Sequence, residues 1–195
     1  MTNPDVSWPQ HTERLALRKV REDDVDRLLE FRNKPDVYQW LMKTVVDPDR
    51  FRAAWIKTLT DPRDHSTVVE LDGVVIGTAS LEVEDALGQD QGEPSIAAQT
   101  HLGYVFDPAY AGQGYATEVA AELLRISFEV LGVHRAYAGC FADNLASRRV
   151  LEKVGMQLEQ YGVRDSWHAE LGWLDGCTYA LLADEWLKGG AARAR

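Results

Sequence analysis

A mixed α/β domain is predicted by three features of this chain. The first is a β-hairpin signal in its first half. The second is a strand that passes through a glycine-rich turn into a long amphipathic helix, and the third is another strand followed at once by another helix. A hairpin makes its strands antiparallel, whereas strands linked through a helix pair in parallel, so a single sheet of mixed direction accommodates both.

Taken in order, Leu15-Ala16-Leu17-Arg18 alternates as a short opening strand. The run REDDVDRLLEFRN places Val25, Leu28, Leu29 and Phe31 at helical spacing. Its acidic residues come first, where the helix dipole favours them, and Pro35 closes it. Phe51, Ala54, Trp55 and Ile56 fit a second short helix ending near Asp61-Pro62. Thr67–Leu71 and Val74–Glu82 read as strands joined by Asp72-Gly73, residues that tolerate the positive φ of a tight hairpin. Residues 85–99 are polar and punctuated by Gly and Pro, a long loop of the kind that is either functional or mobile. His101–Phe106 is the next strand, ended by Asp107-Pro108. The helix TEVAAELLRISFEVLG follows, with Val119, Leu123, Ile126 and Leu131 among its apolar positions and Gly132 as its cap. A strand over Arg135–Phe141, a helix over Leu145–Val154 capped by Gly155, and strand-like segments ending in CTYALLADEW complete the chain.

The 195 residues suit one domain, read as residues 13–187 between a flexible N-terminal tail (1–12) and a disordered basic C-terminal tail (188–195). No stretch approaches the roughly 20 apolar residues of a membrane span, and the N-terminus lacks the basic start and apolar run of a signal peptide. Cys140 and Cys177 lie far apart in apolar contexts, so neither a disulfide nor a metal site is expected and the cytoplasm is the default location. The net charge of −10 disfavours nucleic acid and anionic membranes as partners and suits either plain solubility or a cationic amine substrate.

Two constellations carry chemistry. Ala111-Gly112-Gln113-Gly114-Tyr115-Ala116-Thr117 stands between a strand end and a helix start, where glycines let the backbone approach a ligand and the first-turn amides form an anion site. The pattern is neither the dinucleotide fingerprint G-x-G-x-x-G, because residue 117 is threonine, nor a P-loop, because no Gly-Lys-Ser/Thr follows. The second is Asn144-Leu145-Ala146-Ser147 running into RRVLEKVGM, where Asp143 or Asn144 caps the helix and Val150 and Leu151 face inward.

Together, HLGYVFDPAYAGQGYATE and FADNLASRRVLEKVGM resemble the GNAT superfamily of acetyltransferases, and most nearly its RimJ/RimL-like branch of ribosomal-protein N-terminal acetyltransferases. RLALRKVREDDVDRLL, VVELDGVVIGTASL and DGCTYALLADEW extend the resemblance through the chain. It implies the GNAT fold, a mostly antiparallel mixed sheet with one splayed parallel strand pair flanked by helices. It also implies an acetyl-CoA-dependent N-acetyltransferase that moves the acetyl group directly to a primary amine in a ternary complex, without a metal. The acceptor is left open between a protein N-terminus and a small-molecule amine, such as an antibiotic or metabolite, and a homodimer is compatible. From a different class, a catalytically idle CoA-binding module fits the same motifs.

The resemblance also assigns residues. The family's diphosphate loop, Q/R-x-x-G-x-G/A, falls on Ala111, Gly112, Gln113, Gly114, Tyr115, Ala116 and Thr117, with Ala111 in place of the usual Gln or Arg. The pantetheine arm would lie along Tyr104-Val105-Phe106, whose backbone could polarise the thioester carbonyl, and would meet Asn144. The tyrosine that many members use at the leaving thiolate is replaced by Leu151, so Ser147, one turn earlier on the same face, either takes that part by hydrogen bonding or only binds the pantetheine or caps the helix. His101 occupies the strand position where a general-base glutamate is common. Glu82 and Glu84 are rivals acting through water, and a purely structural histidine is the plainer alternative.

Overall fold

The computed structural model describes residues 6–193. Its elements in chain order are β1 (Gln10–His11), β2 (Ala16–Arg18), α1 (Asp24–Arg32), α2 (Pro35–Tyr38), α3 (Pro48–Thr58), β3 (Thr67–Leu71), β4 (Val74–Glu84) and β5 (Gln99–Phe106). After these come α4 (Tyr115–Arg125), β6 (Arg135–Phe141), α5 (Leu145–Lys153), β7 (Gln157–His168), β8 (Gly172–Leu182) and α6 (Ala183–Arg193). The strands form one sheet in the order β1-β2-β3-β4-β5-β6-β8-β7. Every neighbouring pair is antiparallel except β5 and β6. This is the GNAT fold that the sequence predicts.

The hairpin turns as its residues demand: Asp72 and Gly73 both have positive φ, at 49° and 80°. Several boundaries move. Strand β4 runs on to Glu84, and β5 begins two residues early at Gln99 because these ends pair with each other. The long helix is regular only to Arg125 and then winds through a π-helical turn at Ile126–Val130. Residues expected in the two tails take part in structure: Gln10 and His11 pair with β2, and α6 continues past Lys188 to Arg193. Residues 1–5 and 194–195 of those tails lie outside the described residues. Cys140 and Cys177, distant in sequence, face each other across β6 and β8 as free thiols.

Two cores sit on opposite faces of the sheet. The larger lies under α4 and α5 and buries Leu17, Ile76, Leu81, Leu102, Leu123, Leu124, Leu151 and Tyr179. The smaller joins Val25, Leu28 and Phe31 of α1 to Val68 and Val75. Helix α3 contributes no buried residue and leans on the smaller core through partly buried Phe51 and Trp55. Arg18 supports this side from within: its fork grips Asp24 at 2.6 and 2.8 Å and also reaches Glu70 at 2.6 Å. No helix among the described residues is long and apolar enough to cross a membrane.

Candidate active site

The parallel ladder between β5 and β6 is short. It joins Gln99 to Arg135, Thr100 to Ala136 and His101 to Tyr137, and then stops. Beyond it, β5 stays paired to β4 through Phe106 and β6 stays paired to β8 through Phe141. The two strands therefore diverge into a fork, and the backbone groups of Leu102–Phe106 that point toward β6 have no strand to bond.

At the open end of the fork lies the glycine turn. Gly112 and Gly114 both adopt left-handed backbone, with φ of 76° and 83°, and Gly114 is the N-cap of α4. Among the described residues, the amides of residues 112–116 find no acceptor within the protein; the first bonded amides are Thr117 and Glu118, both to the Gly114 carbonyl. Five consecutive unbonded N–H groups at a helix start are chemically suited to hold an anion. The start of the turn is anchored by buried Asp107, which accepts from the Ala109 amide and holds Arg27 at 2.6 Å and Lys34 at 3.1 Å. Burial would raise the Asp107 carboxyl, but the hydrogen bonds from Arg27 and Lys34 hold it below its usual range.

Side chains alternate along β5, so the two sides of the fork are dressed differently. Tyr104 lies on the larger-core face, packed against that core, and Phe106 lies beside it. The Tyr104 hydroxyl is 3.2 Å from the Ser147 Oγ on α5. Burial pushes the Tyr104 phenol up to about 12, so it stays protonated at neutral pH. Asn144 caps α5, its Oδ1 accepting from the Ser147 amide at 3.1 Å. That bond uses only the side-chain oxygen and leaves the amide nitrogen to donate. Ser147 also meets Cys140 on β6, whose thiol burial pushes up to about 11.

His101 and Val105 point to the opposite face, where Val105 touches the smaller core. His101 is the last residue of the parallel ladder on β5; it stacks on Tyr137 at 4.9 Å and stands opposite Glu82 on β4. Tyr137 donates to Glu84 at 2.5 Å. Burial pushes the Tyr137 phenol up to about 12, and the Glu84 bond adds to the rise. The Glu82 carboxyl is raised as well, first by burial and then by the charge of Asp64.

The candidate residues are thus brought to one place in two groups. Tyr104, Asn144 and Ser147 meet on one face, His101, Glu82 and Glu84 meet on the other, and residues 111–117 sit at the mouth. Two contributors escape sequence reasoning. Tyr137 carries no motif and enters only because β6 pairs with β5 at His101. Arg14 donates to the Gln113 carbonyl from the start of the chain, 99 residues away, with nothing in its neighbourhood to announce the contact. Trp167 and Trp173 meet edge to face at the surface, with 61% and 59% exposure. Trp40 packs on Phe141 and on the buried His168, whose Nε2 meets the Gln39 carbonyl at 2.8 Å. His168 Nδ1 accepts two backbone amides, which assigns the proton to Nε2.

A mixed sheet with one forked parallel pair and an amide-lined turn at its mouth is the arrangement that the resemblance to the acetyltransferases implies. The chain belongs to the GNAT acetyltransferases: the model of the acetyltransferase (GNAT) domain matches residues 14–157. It is similar to the N-acetyltransferase YnaD of Bacillus subtilis, 28% identical over 177 residues, which cover 90% of this chain and 97% of YnaD. In structure it is similar to RimL, a ribosomal L7/L12 alpha-N-protein acetyltransferase in complex with coenzyme A. The TM-score is 0.76 and the identity 20%, over 89% of this chain and 97% of that one. It is equally similar to the spermidine N-acetyltransferase of Vibrio cholerae in complex with CoA and spermine, with TM-score 0.77 and 18% identity, over 89% and 98%. At those identities the two structures speak for the fold alone. The protein is an acyltransferase of the N-acetyltransferase type, and enzymes of this family take acetyl-CoA.

Proposed function

We propose that this chain transfers the acetyl group of acetyl-CoA directly to a primary amine that arrives as a cation, in a ternary complex held across the β5–β6 fork. The observation that carries the reading is the three-residue ladder ending at His101 and Tyr137, with unbonded amides at the fork's mouth and a proton-bearing group on each face. Acetyl-CoA fits these residues: the unbonded amides of residues 112–116 suit its diphosphate, and the open edge of Tyr104-Val105-Phe106 suits the amides of its pantetheine arm. Asn144 Nδ2 is placed to bind that arm. When bound, the donor supplies a thioester and leaves as a thiolate.

Ser147 Oγ serves the thiolate side. It is a weak acid on its own, but the protonated Tyr104 hydroxyl shares a proton with it, so the pair can hold charge at the sulfur by hydrogen bonding. His101 serves the amine side as general base. Glu82 and Glu84 beside it favour the approach of an ammonium group, and either can pass its proton on through water. Glu82, Glu84, Asp61 and Asp64 together weight this face with negative charge, which favours a cationic acceptor and fits both a small polyamine-like amine and the N-terminus of a protein. The RimJ/RimL-like branch is our placement within the family, on the Asn144–Ser147 pair. Calorimetric titration of acetyl-CoA, followed by thiol release against a panel of amines and N-terminal peptides, tests the reading. Binding with turnover on any member supports it, binding with no turnover on the whole panel favours the idle module, and failure to bind sinks it.

A further inference from the structure

The glycine turn contains no cation, and the chain as a whole carries a net charge of −10, so something must make the turn hospitable to a diphosphate. Glu118 makes the difficulty sharper, because its carboxylate lies in the first turn of α4, directly behind the outward amides. It is also the most heavily bonded group near the site. Its Oε1 accepts from Thr12 Oγ1 at 2.5 Å and from the Arg14 amide at 2.9 Å, and its Oε2 accepts from Arg14 Nε at 2.7 Å and Nη2 at 2.6 Å. Burial would raise this carboxyl, but the bonds from Thr12 and Arg14 hold it below the usual carboxylate range. The remaining arm of the fork, Arg14 Nη1, donates to the Gln113 carbonyl at 3.0 Å. The guanidinium plane covers the Tyr115 ring at 4.5 Å, and Nη2 lies 3.6 Å from where a side chain on Gly114 would begin.

The geometry points to Arg14 as a positioning residue for the diphosphate of the donor. One planar group touches Gln113, Gly114, Tyr115 and Glu118, four of the residues that shape the turn. By binding the Gln113 carbonyl on the outer side it fixes the peptide plane between Gln113 and Gly114, which sets where the Gly114 amide points. By pairing with Glu118 it cancels the one carboxylate that would oppose an anion at the helix start. Only the fork supplies both effects together: a lysine can neutralise Glu118, but a single ammonium cannot hold Glu118 through two bonds and also reach the Gln113 carbonyl in the same plane. The turn is therefore completed in space from the segment before β2.

This inference rests on the reading of residues 112–117 as the diphosphate site, and the experiment separates the two. Wild type, Arg14→Ala and Arg14→Lys are titrated with CoA by calorimetry. The fragments 3′-phospho-ADP, which carries the diphosphate, and acetyl-pantetheine, which lacks it, are titrated by NMR chemical-shift perturbation. Arg14→Ala is expected to weaken CoA and 3′-phospho-ADP by the same factor, roughly tenfold or more, as loss of one charge-assisted contact network allows. Acetyl-pantetheine should stay within about twofold of wild type on the same scale. Arg14→Lys should recover only a minor part of the loss. Backbone chemical shifts in the free Arg14→Ala protein should move at Gln113–Tyr115 while the β4–β5 ladder keeps its protection from amide exchange. Unchanged CoA binding in Arg14→Ala overturns the inference, as does full recovery in Arg14→Lys, which would leave charge alone as the cause. An equal loss for acetyl-pantetheine overturns it too, by showing a general fold defect. Wild type that fails to bind CoA overturns the diphosphate site itself.

Discussion

The two sides of the fork are built to different standards. On the side of the turn, α4 and α5 rest on a continuous core, hydrogen bonds join Tyr104 and Asn144 to Ser147, and the left-handed residues of the turn are glycines. On the other side, α3 buries nothing and the segment after α2 leaves Met42 and Val45 exposed at 95% and 66%. On the proposed reading, the first side serves the donor, and its order is set in advance of binding. The second, by the same reading, faces the acceptor, and its looser packing suits a cleft that differs among proteins sharing a donor.

This contrast can be broken in four places. The largest effect is expected at Gly114→Val, because a β-branched residue at φ of 83° is strained whatever space surrounds it. CoA affinity measured by calorimetry should fall by about 100-fold, equivalent to about 3 kcal/mol. Asp107→Asn comes next, since Asp107 ties the start of the turn to Arg27 and Lys34 from the acceptor side. A loss of about 2 kcal/mol is expected by urea unfolding at pH 7. Because the folded Asp107 carboxyl titrates below its unfolded value, its stabilising contribution is complete above about pH 4 and disappears as pH falls through the lower folded value. The gap between wild type and variant should therefore close in acid, and a gap that stays constant down to pH 2 would refute the pairing.

Asn144→Ala removes the cap on Ser147 at a cost of about 1 kcal/mol, a drop of roughly 2–4 °C in the melting midpoint for a chain of this size. Turnover should fall further than this loss explains, because Ser147 loses its placement. The smallest effect is expected at Met42→Ala, which should leave stability within about 0.5 kcal/mol and CoA affinity unchanged. Any change it makes should appear in KM for the acceptor, and a change in CoA affinity would mean that the two sides are not separable.

The same asymmetry governs how much could be read from the chain before folding. The turn at residues 111–117, the cap at Asn144 and the Asp72-Gly73 hairpin were legible because each depends on residues a few positions apart. The π-helical turn at Ile126–Val130 was not, since its apolar spacing continues that of α4 and only packing beneath it decides the winding. Arg14, Glu118 and Tyr137 were invisible as a group, because the contacts that bring them to the site join positions 36 to 106 residues apart and none carries a local signature. His101 was legible as a candidate, but its stack on Tyr137 and its place at the end of the ladder required the sheet register.

The brevity of the β5–β6 ladder has a mechanical consequence. It makes the domain two hydrogen-bonded panels, β1 to β5 and β6 to β8, hinged along a seam three residues long. Thr100, in the middle of that seam, donates its buried hydroxyl to Ser127, which in turn bonds the Leu123 carbonyl. That relay fastens the seam to the helix lying over it by two hydroxyl groups buried away from solvent.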